Sequence, residues 1–423
     1  MVDVWLPYGK TKVCVRVPAR NFLGSIQPEE QASATDAKTE VKRALKEPIG
    51  SKRLGEIAKA EHKVAIVVDD ATRQAPSGIM LLPILAELNA VGVRDENVTV
   101  IFGCGTHRAV TSKEARELLG EEILNRVRTV SHDCKAQDVV YVGTTKTHGN
   151  KVYLNRTFAE ADVKVLVGDV GFHYYAGYGG GRKSVLPAVA GEGTIKHNHA
   201  MLLHANARTG VLRGNPVHED MTEAARLAKV DFIVNIVANS KGEIVKAFAG
   251  DLEQAFLEAV EAVDAMYRVT VDRRADIVVV SSGGYPADIN LFQAYKAMDS
   301  ALEVVKRNGV AILVAECPEG HGNQVFYDWM VRLGGLKAVE REVKRNFVLG
   351  GHKAYYLLKA LQSHQIILVS SLPDYYAVNV FQLKTARAIN DAFSEALKSA
   401  GSNAKVWVMP HGNLTLAKVK SAE

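Results

Sequence analysis

Four runs of nearly unbroken Val, Ile and Leu constrain this chain most. They are HKVAIVVDD (residues 62–70), NVTVIFGCGTHR (97–108), KVLVGDVGFH (164–173) and DFIVNIVAN (231–239). A strand that is apolar on both of its faces must be buried on both, which is the condition of a parallel sheet covered by helices. The intervening segments read as helices, over 78–90, after a cap at Thr111 or Ser112, and over 252–266 following a turn at Lys241 and Gly242. Beyond a charged stretch at 268–274 the pattern restarts with ADIVVVSSGGYP (275–286), GVAILVAECPEG (309–320), QIILVSSLP (365–373) and AKVWVMPHG (404–412). Helices are predicted between these around 288–307, 325–336, 351–361 and 385–400. At 423 residues the chain exceeds the size of one ordinary core. The expected fold is α/β: two α/β domains with largely parallel sheets and a cleft between them. The expected domains are 1–270 and 271–411, with a tail of about 412–423 returning to the first.

Composition narrows the function classes. A net charge of +5, without a dense basic cluster, suits a small anionic ligand and argues against nucleic acid. The four cysteines (Cys14, Cys104, Cys134, Cys317) are far apart and form no CxxC pair, which argues against a disulfide framework and a thiolate metal site. The opening MVDVWLPYGKTKVCVRV alternates like a strand and lacks an apolar stretch of signal-peptide length. No run approaches the roughly 18 apolar residues of a membrane span. Cytoplasmic residence is the expectation, with no membrane partner.

In an open parallel sheet, ligands bind beyond the carboxyl ends of the strands. The loops there carry Asp70, Thr72 and Arg73, then His107, then His173. The third loop opens the block GFHYYAGYGGGRKSVLPAVAGEGTIKHNHA (171–200), where seven glycines surround Lys183 and precede His197 and His199. Glycines permit close backbone approach to a ligand, and a lysine beside them can bind phosphate or bond covalently. GYGGGRKS (177–184) nearly matches a phosphate loop, with Arg182 in place of the second glycine; a mobile turn with a surface lysine is the plainer alternative. His197 and His199 share a strand face but diverge on a helix, so on a helix only one points at a site. No HExxH-like spacing exists, so a metal here must draw most of its ligands from something other than side chains. Arg73 reads as a fork for a carboxylate with Asp70 accepting a hydroxyl hydrogen, or as a surface ion pair beside a helix cap. Arg108 is a second anion contact or a solvated residue. FQAYKAMD (292–299) places Gln293 and Lys296 on one helix face.

Taken together, DDATR (69–73), GTHR (105–108), the block at 171–200 and QAYKAMD (293–299) resemble the nickel-dependent lactate racemase family. The resemblance implies a 2-hydroxyacid racemase, an isomerase that interconverts D- and L-2-hydroxy acids, with lactate the leading substrate. Other 2-hydroxy acids (malate, 2-hydroxyglutarate, aryl-lactate or a sugar acid) are the alternative, and a nucleotide-binding protein using residues 177–184 is a remote one. It implies a nickel pincer nucleotide, a pyridinium-3,5-bisthiocarboxylic acid mononucleotide that carries Ni2+ and is covalently attached at Lys183. His199 is implied as the metal ligand, a single imidazole completing a tetragonal Ni(II) site. Asp70, Thr72, Gly179, Gly180 and Gly181 are the further cofactor contacts. His107 and His173 are implied as paired proton carriers in a proton-coupled hydride transfer through a 2-keto acid, and each needs a pKa near the working pH. Arg73 and Lys296 would hold the carboxylate and developing charge, with Gln293 and Tyr295 as further substrate contacts. Cofactor-biosynthesis proteins are implied as maturation partners. Gln74 and Ala75 precede Pro76 where the family often has proline sooner.

Overall fold

The computed structural model describes residues 1–73 and 75–420, in two compact units. One unit is Glu30–Ala265 and the other combines Met1–Glu29 with Met266–Glu423.

Within Glu30–Ala265, the described residues form a six-stranded sheet. Its order is Ile244–Gly250, Phe232–Ala238, Val163–Asp169, Val64–Asp69, Val98–Gly103, Arg128–Ser131. All pairings are parallel except that of the two strands at the Ile244 edge. The expected helix after the fourth apolar run is preceded by this extra strand. Asn239 makes the turn, its side-chain oxygen accepting the amides of Lys241 and Glu243, and Gly242 adopts φ +77. Along Val64–Asp69 the successive residues Ala65, Ile66, Val67 and Val68 are all buried, so the sheet is covered on both sides. Helices Ala37–Lys46 and Ser77–Ala90 pack Val41, Leu81, Ile84 and Leu88 against one face. Helix Ser112–Leu119 starts at Thr111, whose hydroxyl accepts from Glu114 N while the Glu114 carboxylate accepts from Thr111 N.

From Val64–Asp69 the chain runs to Val98–Gly103 and Arg128–Ser131 on one side, then returns to Val163–Asp169 on the other. The strand order therefore reverses between Val64–Asp69 and Val163–Asp169. Such a switch point opens a crevice between the carboxyl ends of two neighbouring strands.

The other unit holds a six-stranded sheet in the order Lys384–Ala386, Gln365–Val369, Val305–Val314, Ala275–Ser281, Val406–Met409, Phe22–Ser25, parallel throughout. Two expectations change here. The N-terminal segment belongs to this unit and not to the one that follows it in sequence: Phe22–Ser25 supplies the edge strand, and the hairpin of Val2–Tyr8 with Thr11–Val17 buries Leu6, Val15 and Val17 in this core. The tail does not return to the Glu30–Ala265 unit, because Leu416–Val419 pairs in parallel with Arg268–Val271. Residues 421–423 of that tail lie outside the described residues. The helix expected over 288–307 is a composite of Leu291–Ala294, a tight 3-10 turn at Tyr295–Ala297, and Met298–Val304, ending where strand Val305–Val314 begins.

Among the described residues no helix is long and apolar enough to cross a membrane. All four cysteines are free thiols.

Candidate active site

Three neighbouring strands of the Glu30–Ala265 sheet deliver the predicted residues. The loop after Val64–Asp69 carries Asp70, Thr72 and Arg73; that after Val98–Gly103 carries His107; that after Val163–Asp169 carries His173 and leads to Lys183.

Asp70 is buried, a costly place for a carboxylate unless it is fully bonded. Its Oδ1 accepts from Thr72 N at 2.9 Å and from the Thr72 hydroxyl at 2.6 Å. Its Oδ2 lies 2.6 Å from His107 Nδ1. Burial alone would raise the Asp70 pKa, but the bonds from His107 and Thr72 outweigh it and hold the carboxyl below its ordinary value. An ionised carboxylate only accepts, so His107 carries its hydrogen on Nδ1 and turns the Nε2 lone pair outward. Asp70 and Thr72 thus bond locally. Their polar atoms serve each other and orient His107.

Arg73 is solvent-exposed. Desolvation would lower its pKa, but Asp69, Asp169 and Asp70 more than offset this and keep the guanidinium charged. Asp69 lies at the switch point, with its Oδ2 buried. Burial, followed by the charge of Asp169, pushes the Asp69 carboxyl up to about 8. Gln74, the departure from the family pattern, lies outside the described residues. Arg108 is an exposed surface ion pair: its guanidinium donates to both Glu114 oxygens at 2.8 and 2.6 Å, which removes it from the anion contacts.

His173 is held by the backbone. The Ala176 N–H donates to its Nδ1 at 3.2 Å, so the neutral ring carries its hydrogen on Nε2, 3.4 Å from Lys183 Nζ. Two bases this close do not both hold a proton cheaply. Burial lowers the Lys183 pKa well below its ordinary value, aided by the charges of Arg73 and Arg182. Burial does the same to His173, with Lys183 the next cause. Both shifts favour the uncharged forms, and an uncharged amine is a nucleophile.

The two candidate metal histidines separate because residues 192–200 form a helix, Glu192–Ala200. His197 is exposed and faces the His148 carbonyl at 2.9 Å. His199 is buried, with its ring edge-on to Tyr175 at 5.2 Å. Tyr175 also lies edge-on to His173 at 4.5 Å, and Tyr174 stacks on His173 at 4.9 Å. One buried tyrosine thus ties the candidate proton carrier to the candidate metal ligand, a link that the adjacent YY pair in the sequence could have suggested. Burial, then the nearby Lys183, depresses the His199 pKa to about 3, leaving a neutral imidazole. Among the described residues no three His, Cys, Asp or Glu side chains gather as a metal site.

The glycine run has a different task from the one expected. Gly180 and Gly181 take φ +76 and +52, and a Cβ there would meet Val170 and Asp169 O, or Phe256. Gly179 N donates to Gly171 O, Gly181 N to Asn235 Oδ1, and Lys183 N to Gly180 O. These three amides are spent inside the protein. Arg182, also buried, donates to the carbonyls of Ala176 and Gly180 at 2.9 and 3.0 Å and to His218 Nδ1 at 3.0 Å. Its guanidinium stacks on Phe256. Glycines 179–181 and Arg182 fold the loop that presents Lys183.

In the other unit, Asn290 caps the short helix Leu291–Ala294 by accepting from Gln293 N at 3.0 Å. Lys296 is exposed and Gln293 half-buried. Tyr295 is corrected from substrate contact to core residue: it is 2% exposed, under the Lys353 ammonium at 5.3 Å from its ring. One residue from Lys296 is about 120° around a 3-10 turn, which turns Tyr295 inward when Lys296 faces out.

Comparison with known proteins decides the family. The lactate racemase N-terminal domain family matches residues 8–210 and the lactate racemase C-terminal domain family matches residues 270–416. The chain belongs to the lactate racemase family. It is similar to the lactate racemase of Thermoanaerobacterium thermosaccharolyticum, 34% identical over 99% of this chain and 100% of that protein. It is also similar to that of Lactiplantibacillus plantarum, 32% identical over 97% and 99%. The solved apoprotein structure of the Thermoanaerobacterium lactate racemase matches with a TM-score of 0.92 at 33% identity, covering 99% of this chain and 100% of that one. A Thermotoga maritima protein shares the fold, with a TM-score of 0.65 at 19% identity and coverage of 90% and 98%. As a member of a nickel-dependent lactate racemase family, the chain is an isomerase of the racemase type acting on a small molecule.

Proposed function

We propose that this racemase interconverts the enantiomers of lactate, using a nickel pincer nucleotide attached at Lys183. The observation that carries the reading is the cluster in which His173 meets both Lys183 and Tyr175 and Tyr175 meets His199, at the same end of the sheet as the Asp70-oriented His107. The donor set fits the group. A buried neutral imidazole at His199 suits a borderline metal, and the half-buried amine of Lys183 suits acylation. When bound, the nucleotide supplies a hydride acceptor and donor for C2 of the substrate. The protein's own residues do the rest. Arg73, kept charged by its acidic neighbours, binds the substrate carboxylate. His107 Nε2 takes the hydroxyl proton of one enantiomer, and Asp70 stabilises the imidazolium that results. His173 serves the opposite enantiomer. To take a proton at Nε2, His173 must first move its own hydrogen to Nδ1 and give up the 3.2 Å bond from the Ala176 N–H.

Lys296 and Gln293 are proposed as carboxylate and alkoxide contacts, on the strength of the matching QAYKAMD segment. Loading requires cofactor-biosynthesis proteins as partners. Free thiols at all four cysteines suit a reducing compartment, and the cytoplasm is the proposed location.

The test is turnover of one lactate enantiomer deuterated at C2. Slowed conversion to the racemate, with the deuterium retained in product, supports hydride transfer. Rapid washout of that deuterium into solvent would mean proton abstraction at carbon and reject the scheme.

A further inference from the structure

His199 has one neighbour whose orientation can be deduced. Asn198, on the same helix, is fully buried. Its Nδ2 donates to the Val217 carbonyl at 3.1 Å and to Asp220 Oδ2 at 2.9 Å. Asp220 is fully buried too, and it is surrounded by donors. Its Oδ1 accepts from the Thr145 hydroxyl at 2.7 Å and its Oδ2 also from the Asn150 amide at 2.9 Å. Thr145 Oγ1 itself accepts from Asn150 N at 2.9 Å, which commits its own hydrogen to Asp220. Asp220 therefore acts as an acceptor only.

The consequence runs outward to the histidine. A flipped Asn198 amide would set its oxygen against a carbonyl and a carboxylate, two buried acceptors, at the cost of both bonds. The unflipped amide turns Oδ1 to His199 Nδ1 at 3.1 Å. An amide oxygen cannot donate, so the hydrogen between them belongs to His199. Its lone pair is then on Nε2.

We propose that Asp220 and Asn198 are positioning residues that lock His199 in the Nδ1–H tautomer and so make Nε2 the metal-binding nitrogen. The proposal rests on the reading of His199 as the nickel ligand. A partner bonded to the second ring nitrogen is what fixes a ligating histidine in general. Here a neutral amide makes the contact and a buried carboxylate holds the amide.

The tautomer can be read without cofactor. Apoprotein labelled with ¹⁵N-histidine, with the His199 signals assigned by loss in His199→Gln, shows which ring nitrogen bears the hydrogen. The expected result is Nδ1–H alone in the wild type and a mixture of tautomers in Asn198→Leu. In loaded protein, Asn198→Leu loses nickel roughly ten- to a hundredfold faster while the Lys183 adduct remains. Nε2–H in the wild type, or an unchanged Nδ1–H in Asn198→Leu, overturns the proposal. If Asn198→Leu does not fold, the wild-type spectrum decides alone. A nickel-bearing protein with Nε2–H at His199 rejects the relay only. Protein with Nδ1–H that never takes up nickel supports the relay and rejects the nickel reading.

Discussion

Replacing Asp70 by asparagine reverses one hydrogen bond and should disable one of the two proton carriers. Both Thr72 donors point at Asp70 Oδ1, at 2.9 and 2.6 Å. They will hold the oxygen of the new amide and turn its NH2 toward His107. His107 must then accept at Nδ1 and carry its hydrogen on Nε2, the nitrogen that should be taking a proton. Returning to the productive tautomer forfeits a charge-assisted bond and sets two donors face to face, about 3 kcal/mol together. That corresponds to a fall in kcat of roughly a hundredfold or more. Water can relieve part of it, because the His107 side chain is 35% exposed. A fall between about tenfold and about a hundredfold is therefore expected, with KM little changed, since Asp70 makes no proposed substrate contact. Enantiomers are equal in free energy, so kcat/KM must drop by one factor from either side. The assay is initial-rate racemisation of each lactate enantiomer, with matched cofactor loading of wild type and Asp70→Asn. A loss of less than tenfold would refute the orienting role.

Arg182→Lys keeps a charge but cannot span two carbonyls and His218 at once. It should cost about 2 kcal/mol or more of stability, read as a lower urea midpoint. It should also lower the yield of Lys183 modification. Asp69 supplies a pH prediction. Its folded-state pKa is raised from the ordinary 3.8 to about 8, so its stabilising contribution is complete below the lower value and is lost as pH rises through the upper one. Asp69→Asn removes that dependence. Relative to wild type it should gain stability between about pH 4 and about pH 8, as measured by urea unfolding across that range. Lys296→Ala should reduce kcat/KM by on the order of a hundredfold while leaving nickel content intact, which kinetics and metal analysis on one preparation will show.

The strands were legible because burial on both faces writes itself as unbroken Val and Ile. His107 and His173 stood out as histidines in loops at strand ends, while the roles proposed for them and for Lys183 and His199 came from motifs shared with the lactate racemase family. The segment before residue 30 was not. Its strand Phe22–Ser25 is set by pairing with Val406–Met409, and no local pattern encodes a partner so far along the chain. Glycines 179–181 looked like a ligand cradle because sequence cannot say whether the space beside a glycine holds ligand or, as here, Phe256 and Val170. Tyr295 misled in the opposite way, since a tyrosine between Gln293 and Lys296 falls on the inner face of the same turn. Asn198 and Asp220 were invisible for a third reason. Their importance lies in which atom faces which, and only coordinates show that.

The central claim is tested most directly by intact mass and peptide mapping of active protein from a host that makes the cofactor, with nickel measured on the same sample. The account predicts one pincer-nucleotide adduct per chain, on Lys183, with nickel in equal amount. Racemase activity in protein whose Lys183 is unmodified and whose nickel is absent would contradict it.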